Sequence, residues 1–378
     1  MSVYDILGSE TNHYDINGIQ NAVYDIFGIL VGDYNVTSSD YERCLLTARN
    51  EWIKEAREDA TVVPFVIHAD QHGRLTAGNS LFAYLSKAVP WADTSACIGL
   101  GDTANYSLTA FQNMESCLSV IPKEKQINIW GNHDTWTPNW GSDTAIPTAE
   151  ERAILNQYFD NSDFNGNHKY NEYGIEYMID DERKVKYAVI AGWEYDLELG
   201  GHSHYVISSE GMEYIIQMLS MKDEYDIVLL SHIQPFAKQT VTSWLHPPVE
   251  DGSSSNQSAG GGMDITVGNV ADVDISQMLI DRKNKASGTV KDSYGNSHAY
   301  NFTDCSSDFL CCLAGHEHCD KYMWQNGNIP VYLFDAYAYD NHPIYFVNIN
   351  RTNGNLNIWK IDDTPTVYNY QIPFVNPS

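Results

Sequence analysis

Residues 62–72 read VVPFVIHADQH, an apolar run closed by His68 and followed at once by Asp70 and His72. A run of this length between polar flanks predicts a strand buried on both faces. The carboxylate and imidazole just past its end stand where open α/β sheets collect their ligands. The rhythm then repeats. ACIGLGD at 96–102 ends in Gly101-Asp102, and INIWGNHD at 127–134 ends in Gly131-Asn132-His133-Asp134. Between these runs Leu81–Val89 and Leu108–Val120 carry helical spacing, so the segment reads as successive β-α-β units of an α/β fold. Two further apolar runs end in the same way. DIVLLSH at 226–232 closes on Ser231-His232, and FLCCLAGHEH at 309–318 closes on Gly315-His316-Glu317-His318.

Upstream of the first strand, Tyr41, Leu45, Leu46, Trp52 and Ile53 form one face of a helix over Ser38–Glu58, with Ser38 or Ser39 as its N-cap. Before it, Tyr4-Asp5-Ile6, Tyr14-Asp15-Ile16, Tyr24-Asp25-Ile26 and Tyr34-Asn35-Val36 recur at a period of ten. Such short β-prone triplets bury no core of their own, so residues 1–40 read as a repeat segment for attachment or self-association, or as a partly ordered leader. Within 41–378 the motif core is 62–320. Ala149–Phe159, Ser208–Met221 and Asp274–Lys285 read as helices, and Tyr173–Ile179 with Val185–Trp193 as a hairpin around Asp180-Asp181. An insertion at about 237–270 contains the Gly- and Ser-rich loop 251–262. Strands over 329–370 close the chain.

The 378 residues suffice for one large domain. Lys+Arg number 22 against 50 Asp+Glu, a formal charge of -28 that repels polyanions, so no stable nucleic-acid partner is expected. No apolar run reaches the roughly 18 residues of a membrane span, and the first residues lack a secretory pattern. A cytoplasmic or particle-associated location without a membrane partner is the expectation. Seven cysteines are an odd and sparse set, which argues against a disulfide scaffold; Cys311 and Cys312 read as buried small hydrophobes.

A lone Gly-Asp or Gly-Asn pair is usually a turn. The weight lies in five elements occurring in order, each after an apolar run. Mixed carboxylate, amide and imidazole donors suit divalent ions. Two such ions, roughly 3.5–4 Å apart, need a bridging anion, and Asp102 is the natural bridge. Gly201-His202-Ser203-His204 also has the last spacing, but it follows a polar stretch and precedes Ser231-His232, so it reads as a surface loop.

The ordered set resembles the calcineurin-like metallophosphoesterase superfamily, which includes purple acid phosphatases and Ser/Thr phosphatases and carries D-x-H, G-D, G-N-H-[DE], H and G-H-x-H in that sequence. The resemblance implies a four-layer α-β-β-α sandwich of two mixed sheets flanked by helices, here with a small N-terminal β-repeat appendage. It implies two divalent ions (Mn, Fe or Zn), with Asp70, His72 and His318 completing the first site, Asn132, His232 and His316 the second, and Asp102 shared. A hydroxide held by both ions is the implied nucleophile. His133 is the implied general acid, with Asp134 orienting its ring. Asn132 and His133 also rank as substrate contacts, together with Arg74, which can reach a substrate phosphate or stand solvated. By residue type alone, Trp136, Trp140 and Trp193 line the mouth or pack in the core or at the rim. Many relatives carry an Asp where this chain has Asn105, which bears on supporting hydrogen bonds and not on the ligands.

The expected function is hydrolysis of a small phosphomonoester or phosphodiester. The alternative is a structural or adhesion protein, of a phage tail or a cell surface, that retains a phosphoesterase fold.

Overall fold

The computed structural model describes residues 3–4, 10–11, 22–24, 30–33, 40–74, 82, 85, 88–103, 108–135, 153, 156–170, 174–191, 207–233, 241–245, 273, 275–316, 318, 320–325, 329–336, 343–361 and 367–373. Within the decapeptide repeat, β1 (Val3–Tyr4) pairs with β2 (Glu10–Thr11) and β3 (Ala22–Tyr24) with β4 (Leu30–Asp33), both antiparallel. The rest of the repeat, the cap at Ser38 or Ser39 and the loop 251–262 lie outside the described residues.

Helix α1 spans Asp40–Glu58, and Leu45, Trp52 and Ile53 are buried along it as their spacing predicts. It lies on a six-stranded sheet. The centre of that sheet is parallel: β5 (Val62–His68), β6 (Ala96–Gly99) and β7 (Gln126–Asn128) follow one another in space as in sequence. On the other side of β5, β18 (Ile344–Asn350), β19 (Asn355–Ile361) and β20 (Val367–Pro373) add an antiparallel meander. The C-terminal alternation thus completes the sheet that the first motif strand begins.

An eight-stranded sheet faces it. Its parallel centre is β10 (Val185–Ile190), β11 (Asp226–Ser231), β15 (Phe309–Ala314) and β17 (Ile329–Leu333). Antiparallel strands extend both edges, with β9 (Ile175–Asp180) and β8 (His168–Lys169) on one side and β16 (Lys321–Gln325) and β12 (Val241–Leu245) on the other.

The period-2 side-chain alternation sorts the core into two interiors. Val63, Phe65 and Ile67 of β5 meet Val228 and Leu230 of β11 and Leu313 of β15 between the sheets. The alternate residues, Val62, Val66, Ile227 and Leu229, turn outward to the helices. There α1 and α2 (Leu108–Leu118) contribute Trp52, Phe111 and Met114, while α3 (Ser209–Ser220) and α4 (Ser276–Asn284) contribute Met212, Ile215 and Leu279. Two mixed sheets flanked by helices give the expected α-β-β-α layering, and strands covered on both faces explain why the motif runs read as uninterrupted apolar stretches.

Some local expectations shift. The β9–β10 turn occupies residues 181–184, with Lys184 at φ 54°, one step later than the Asp180-Asp181 pair suggested. Val241–Leu245, inside the expected insertion, is an edge strand against β16. The hairpin of β13 (Ser287–Lys291) and β14 (Ser297–Asn301) was not anticipated, because it is largely exposed and its strands carry too few apolar residues to show a period. Of the expected helices, 81–89 is described only at Phe82, Leu85, Ala88 and Val89, and 149–159 only at 153 and 156–159, mostly helical at both. Cys97, Cys117, Cys305, Cys311 and Cys312 are buried free thiols. Among the described residues no helix is long and apolar enough to cross a membrane.

Candidate metal centre

The parallel strands of both sheets deliver their C-terminal ends to one place. Asp70 and His72 follow β5, Asp102 follows β6, and His133 lies in the single helical turn Asn132–Thr135 after β7. His232 follows β11, and His316 and His318 follow β15. The side-chain donors fall into two groups, Asp70, His72, Asp102 and His318 in one and Asp102, His232 and His316 in the other, each with its atoms within 4.8 Å of one another. Asp102 belongs to both. The centre therefore straddles the sandwich, drawing carboxylates from one sheet and most imidazoles from the other.

The glycines of the motifs have a steric reason. A Cβ on Gly131 would stand 2.1 Å from Asp102 Oδ1, and one on Gly315 2.6 Å from Asp70 Oδ2. One on Gly101, which has φ 92°, would stand 2.7 Å from His232 Nδ1. In each case the space a methyl would fill is taken by a donor of the centre. The non-glycine backbone is unusual as well. Among the described residues seven non-glycines have left-handed φ, and five of them are Asp70 (51°), His72 (44°), Asp102 (52°), His316 (70°) and His318 (50°). Such conformations cost of order 1–3 kcal/mol each and persist where surrounding bonds over-determine them.

Those bonds are present. Asp70 N–H donates to Gly101 O at 3.0 Å and His72 N–H to Asp102 O at 2.8 Å, which locks the first motif loop to the second. His133 N–H donates to Asp102 Oδ1 at 2.7 Å, and Asp134 Oδ2 accepts from Thr103 N–H and Gly131 N–H at 3.2 and 3.0 Å, which joins the second loop to the third. His316 N–H reaches Asp70 Oδ2 at 3.0 Å, and Gly315 N–H reaches His232 O at 3.0 Å.

The donor set suits cations. His232 Nδ1 lies 2.7 Å from Leu100 O, and since a carbonyl only accepts, Nδ1 carries the proton and Nε2 points into the centre. Nε2 stands 3.2 Å from Asp102 Oδ2, off the line of a hydrogen bond, and that fully buried oxygen has no hydrogen-bond partner. His72 Nε2 and His133 Nε2 lie 3.8 and 3.9 Å from the same oxygen, and His318 Nε2 is 3.3 Å from Asp70 Oδ1. His72 Nε2 and His318 Nε2 face each other at 3.0 Å. Two carboxylates and four imidazoles converging on one largely buried space fit divalent ions.

The electrostatics follow from burial against charge. Burial pushes the His72 and His316 rings down to about 4, so both are neutral donors at neutral pH. Burial also opposes charge on His232, but the Asp102 carboxylate outweighs it and raises the ring to about 9. Asp102 itself is held well below its ordinary value, since the His232 charge overrides the burial that would raise it. For His133 burial prevails and lowers the ring.

Of the sequence-predicted site residues, six of the seven metal candidates meet here. The seventh, Asn132, has its backbone in the turn, and its side chain lies outside the described residues, as do His202, His204, Asn105, Trp136, Trp140 and Trp193. Arg74 is exposed. Sequence reasoning passed over His68 and Gln71. His68 is fully buried, bonds through Nδ1 to Gln71 Nε2, and stands edge-on to Phe82 at 5.4 Å. A polar ring closing an apolar strand was the available signal.

Two mixed sheets flanked by helices thus carry one Asp/His cluster at the strand ends of both. No protein-family model matches the sequence, and no curated protein does. Similar solved structures include these three. A dimetal phosphatase from Danio rerio has 10% identity and a TM-score of 0.43, covering 82% of this chain and 99% of that one. Phosphopantetheinyl hydrolase from Mycobacterium tuberculosis has 13% identity and a TM-score of 0.39, covering 74% and 91%. GAP50, the anchor in the inner membrane complex of Plasmodium, has 8% identity and a TM-score of 0.42, covering 82% and 89%.

Proposed function

We propose that the chain is a dinuclear-metal-dependent hydrolase of small phosphate esters. The observation that carries this reading is Asp102, one buried carboxylate shared by two groups of donors. Asp70, His72 and His318 would hold one ion with it, and His232, His316 and Asn132 the other. Two divalent ions bound there, Mn, Fe or Zn, would supply a water acidic enough to be a nucleophile at neutral pH and would offset charge on the phosphoryl oxygens.

The chain's own residues do the remaining work. His72 and His316 are kept neutral by burial, so they offer lone pairs without first losing a proton. His133 and His318 are both part-exposed imidazoles of the group; the His133 side chain is 27% exposed and its Nε2 is 3.9 Å from Asp102 Oδ2. Its backbone is fixed by the N–H bond to Asp102, which leaves the ring at the rim, where it can hand a proton to a departing alkoxide. Asp134 ties the second and third loops together and so holds His133 and Asp102 at a constant separation.

The test is hydrolysis of p-nitrophenyl phosphate and of bis-p-nitrophenyl phosphate with added Mn²⁺, alongside elemental analysis of the chain and of Asp102→Asn. Mn²⁺-dependent turnover, with metal lost in the variant, is expected. A chain that binds two ions per molecule and hydrolyses neither ester would favour the structural or adhesion role, and full metal content in Asp102→Asn would remove the shared carboxylate from the account.

A further inference from the structure

The two halves of the centre belong to different sheets, so their separation depends on how the sheets are held at this end of the sandwich. Asp320 comes two residues after His318, between the histidine loop and β16. Its side chain is 4% exposed. Lys360 Nζ donates to its Oδ2 at 2.5 Å, and Tyr345 OH to its Oδ1 at 2.7 Å. Tyr332 OH and Asp335 N–H reach the same Oδ1 at 3.4 Å. Lys360 Nζ also bonds Asp335 Oδ2 at 3.1 Å, and Asp335 N–H bonds Tyr345 OH at 3.0 Å.

The members come from both sheets. Tyr345 and Lys360 are directly opposed on β18 and β19 of the six-stranded sheet, whereas Asp320, Tyr332 and Asp335 belong to or flank β16 and β17 of the eight-stranded one. Tyr345 pairs with Ile67 on β5, three residues before Asp70. The network thus links the sheet carrying Asp70 and His72 to the loop carrying His316 and His318. We infer that Asp320, clasped by Lys360 and Tyr345, is a positioning residue: it sets the reach of His316 and His318 to the carboxylates on the facing sheet, and so the affinity for metal.

The inference rests on the centre being a metal site, and a matched pair of variants separates the two claims. Tyr345→Phe removes one buried hydroxyl from the network. Tyr187→Phe removes a hydroxyl of the same kind, also buried between the sheets, which bonds Ser95 Oγ at 2.5 Å just before β6, at the opposite end of the sandwich. Mn²⁺ binding to the full-length chain is titrated calorimetrically, with the melting temperature measured on the same samples. Tyr345→Phe is expected to weaken Mn²⁺ binding about tenfold or more, the loss usual for partners that orient metal ligands. Tyr187→Phe is expected to bind as the wild type does. Lys360→Arg, which keeps the buried charge but moves its donors, is the second variant and is expected to weaken binding in the same sense. Wild-type affinity in folded Tyr345→Phe and Lys360→Arg would overturn the inference, as would equal weakening in Tyr187→Phe. A wild-type chain that takes up no Mn²⁺ would instead overturn the metal reading itself, and this inference with it.

Discussion

Gly131 shows how little freedom single positions have at the centre. With Asp102 Oδ1 2.1 Å from where its Cβ would be, Gly131→Ala must displace the carboxylate shared by both donor groups. We expect that variant to keep its far-ultraviolet circular dichroism and lose most of its bound metal by elemental analysis; retained metal would show that the loop relaxes around the methyl. His133 makes the opposite prediction. It touches Asp102 through its backbone N–H, which His133→Asn preserves. That variant should keep its metal and lose on the order of 10²–10⁴ in turnover of an alkyl phosphate, with a smaller loss on p-nitrophenyl phosphate, whose leaving group needs no proton. Equal losses on both would contradict a proton-donating role. At this scale the sequence announced most of the cluster, because metal donors must be Asp, His or Asn and because their glycines cannot be replaced. It did not announce Asp320, Lys360 or Tyr345, since one acid before a strand and one lysine among many carry no spacing that marks them as partners.

Among the elements, α1 carries the largest single anchor. Trp52 is fully buried, stacks on Phe346 at 4.9 Å and donates its indole N–H to Val347 O at 2.9 Å. Beside it Glu55 accepts from the side-chain amides of Asn348, Asn350 and Asn357 at 2.6–2.7 Å, so one carboxylate gathers three asparagine donors on the outer face of β18 and β19. Trp52→Ala should cost about 3–5 kcal/mol, read as a shift in the urea midpoint. A cost below about 1 kcal/mol would mean that α1 is not integral to the fold. The helix itself was legible from the spacing of Leu45, Trp52 and Ile53. Its partner strands were legible only as alternation, because period-2 patterning shows that a strand exists but not which strand it pairs with. Nothing in residues 344–350 alone says that they lie beside residues 62–68, and the polar β13–β14 hairpin left no periodic signal at all.

For the molecule as a whole, the proposed centre would couple metal, protons and folding. In the metal-free chain His232 is raised to about 9, above its ordinary 6.5, so it is charged at neutral pH and must lose that proton to coordinate. Mn²⁺ uptake at pH 7.5 should therefore release a proton, seen as a binding enthalpy that varies with the ionisation enthalpy of the buffer, and affinity should rise as pH approaches 9. No buffer dependence would indicate that His232 is already neutral. The same shift fixes a stability sign for the metal-free chain. The His232–Asp102 pair contributes fully below pH 6.5 and its contribution is lost as pH rises through about 9. The net charge of -28 acts at this scale too, since it draws cations toward the molecule while disfavouring polyanionic substrates.

The left-handed backbone at Asp70, His72, Asp102, His316 and His318 carries a local cost in the fold. At each of those positions glycine would relax the backbone, but at Asp70 and Asp102 it would also remove the carboxylates that accept from His316 N–H and His133 N–H. Any of the five replaced by glycine would trade a strained residue for a lost donor, so backbone relief and donor count move in opposite directions.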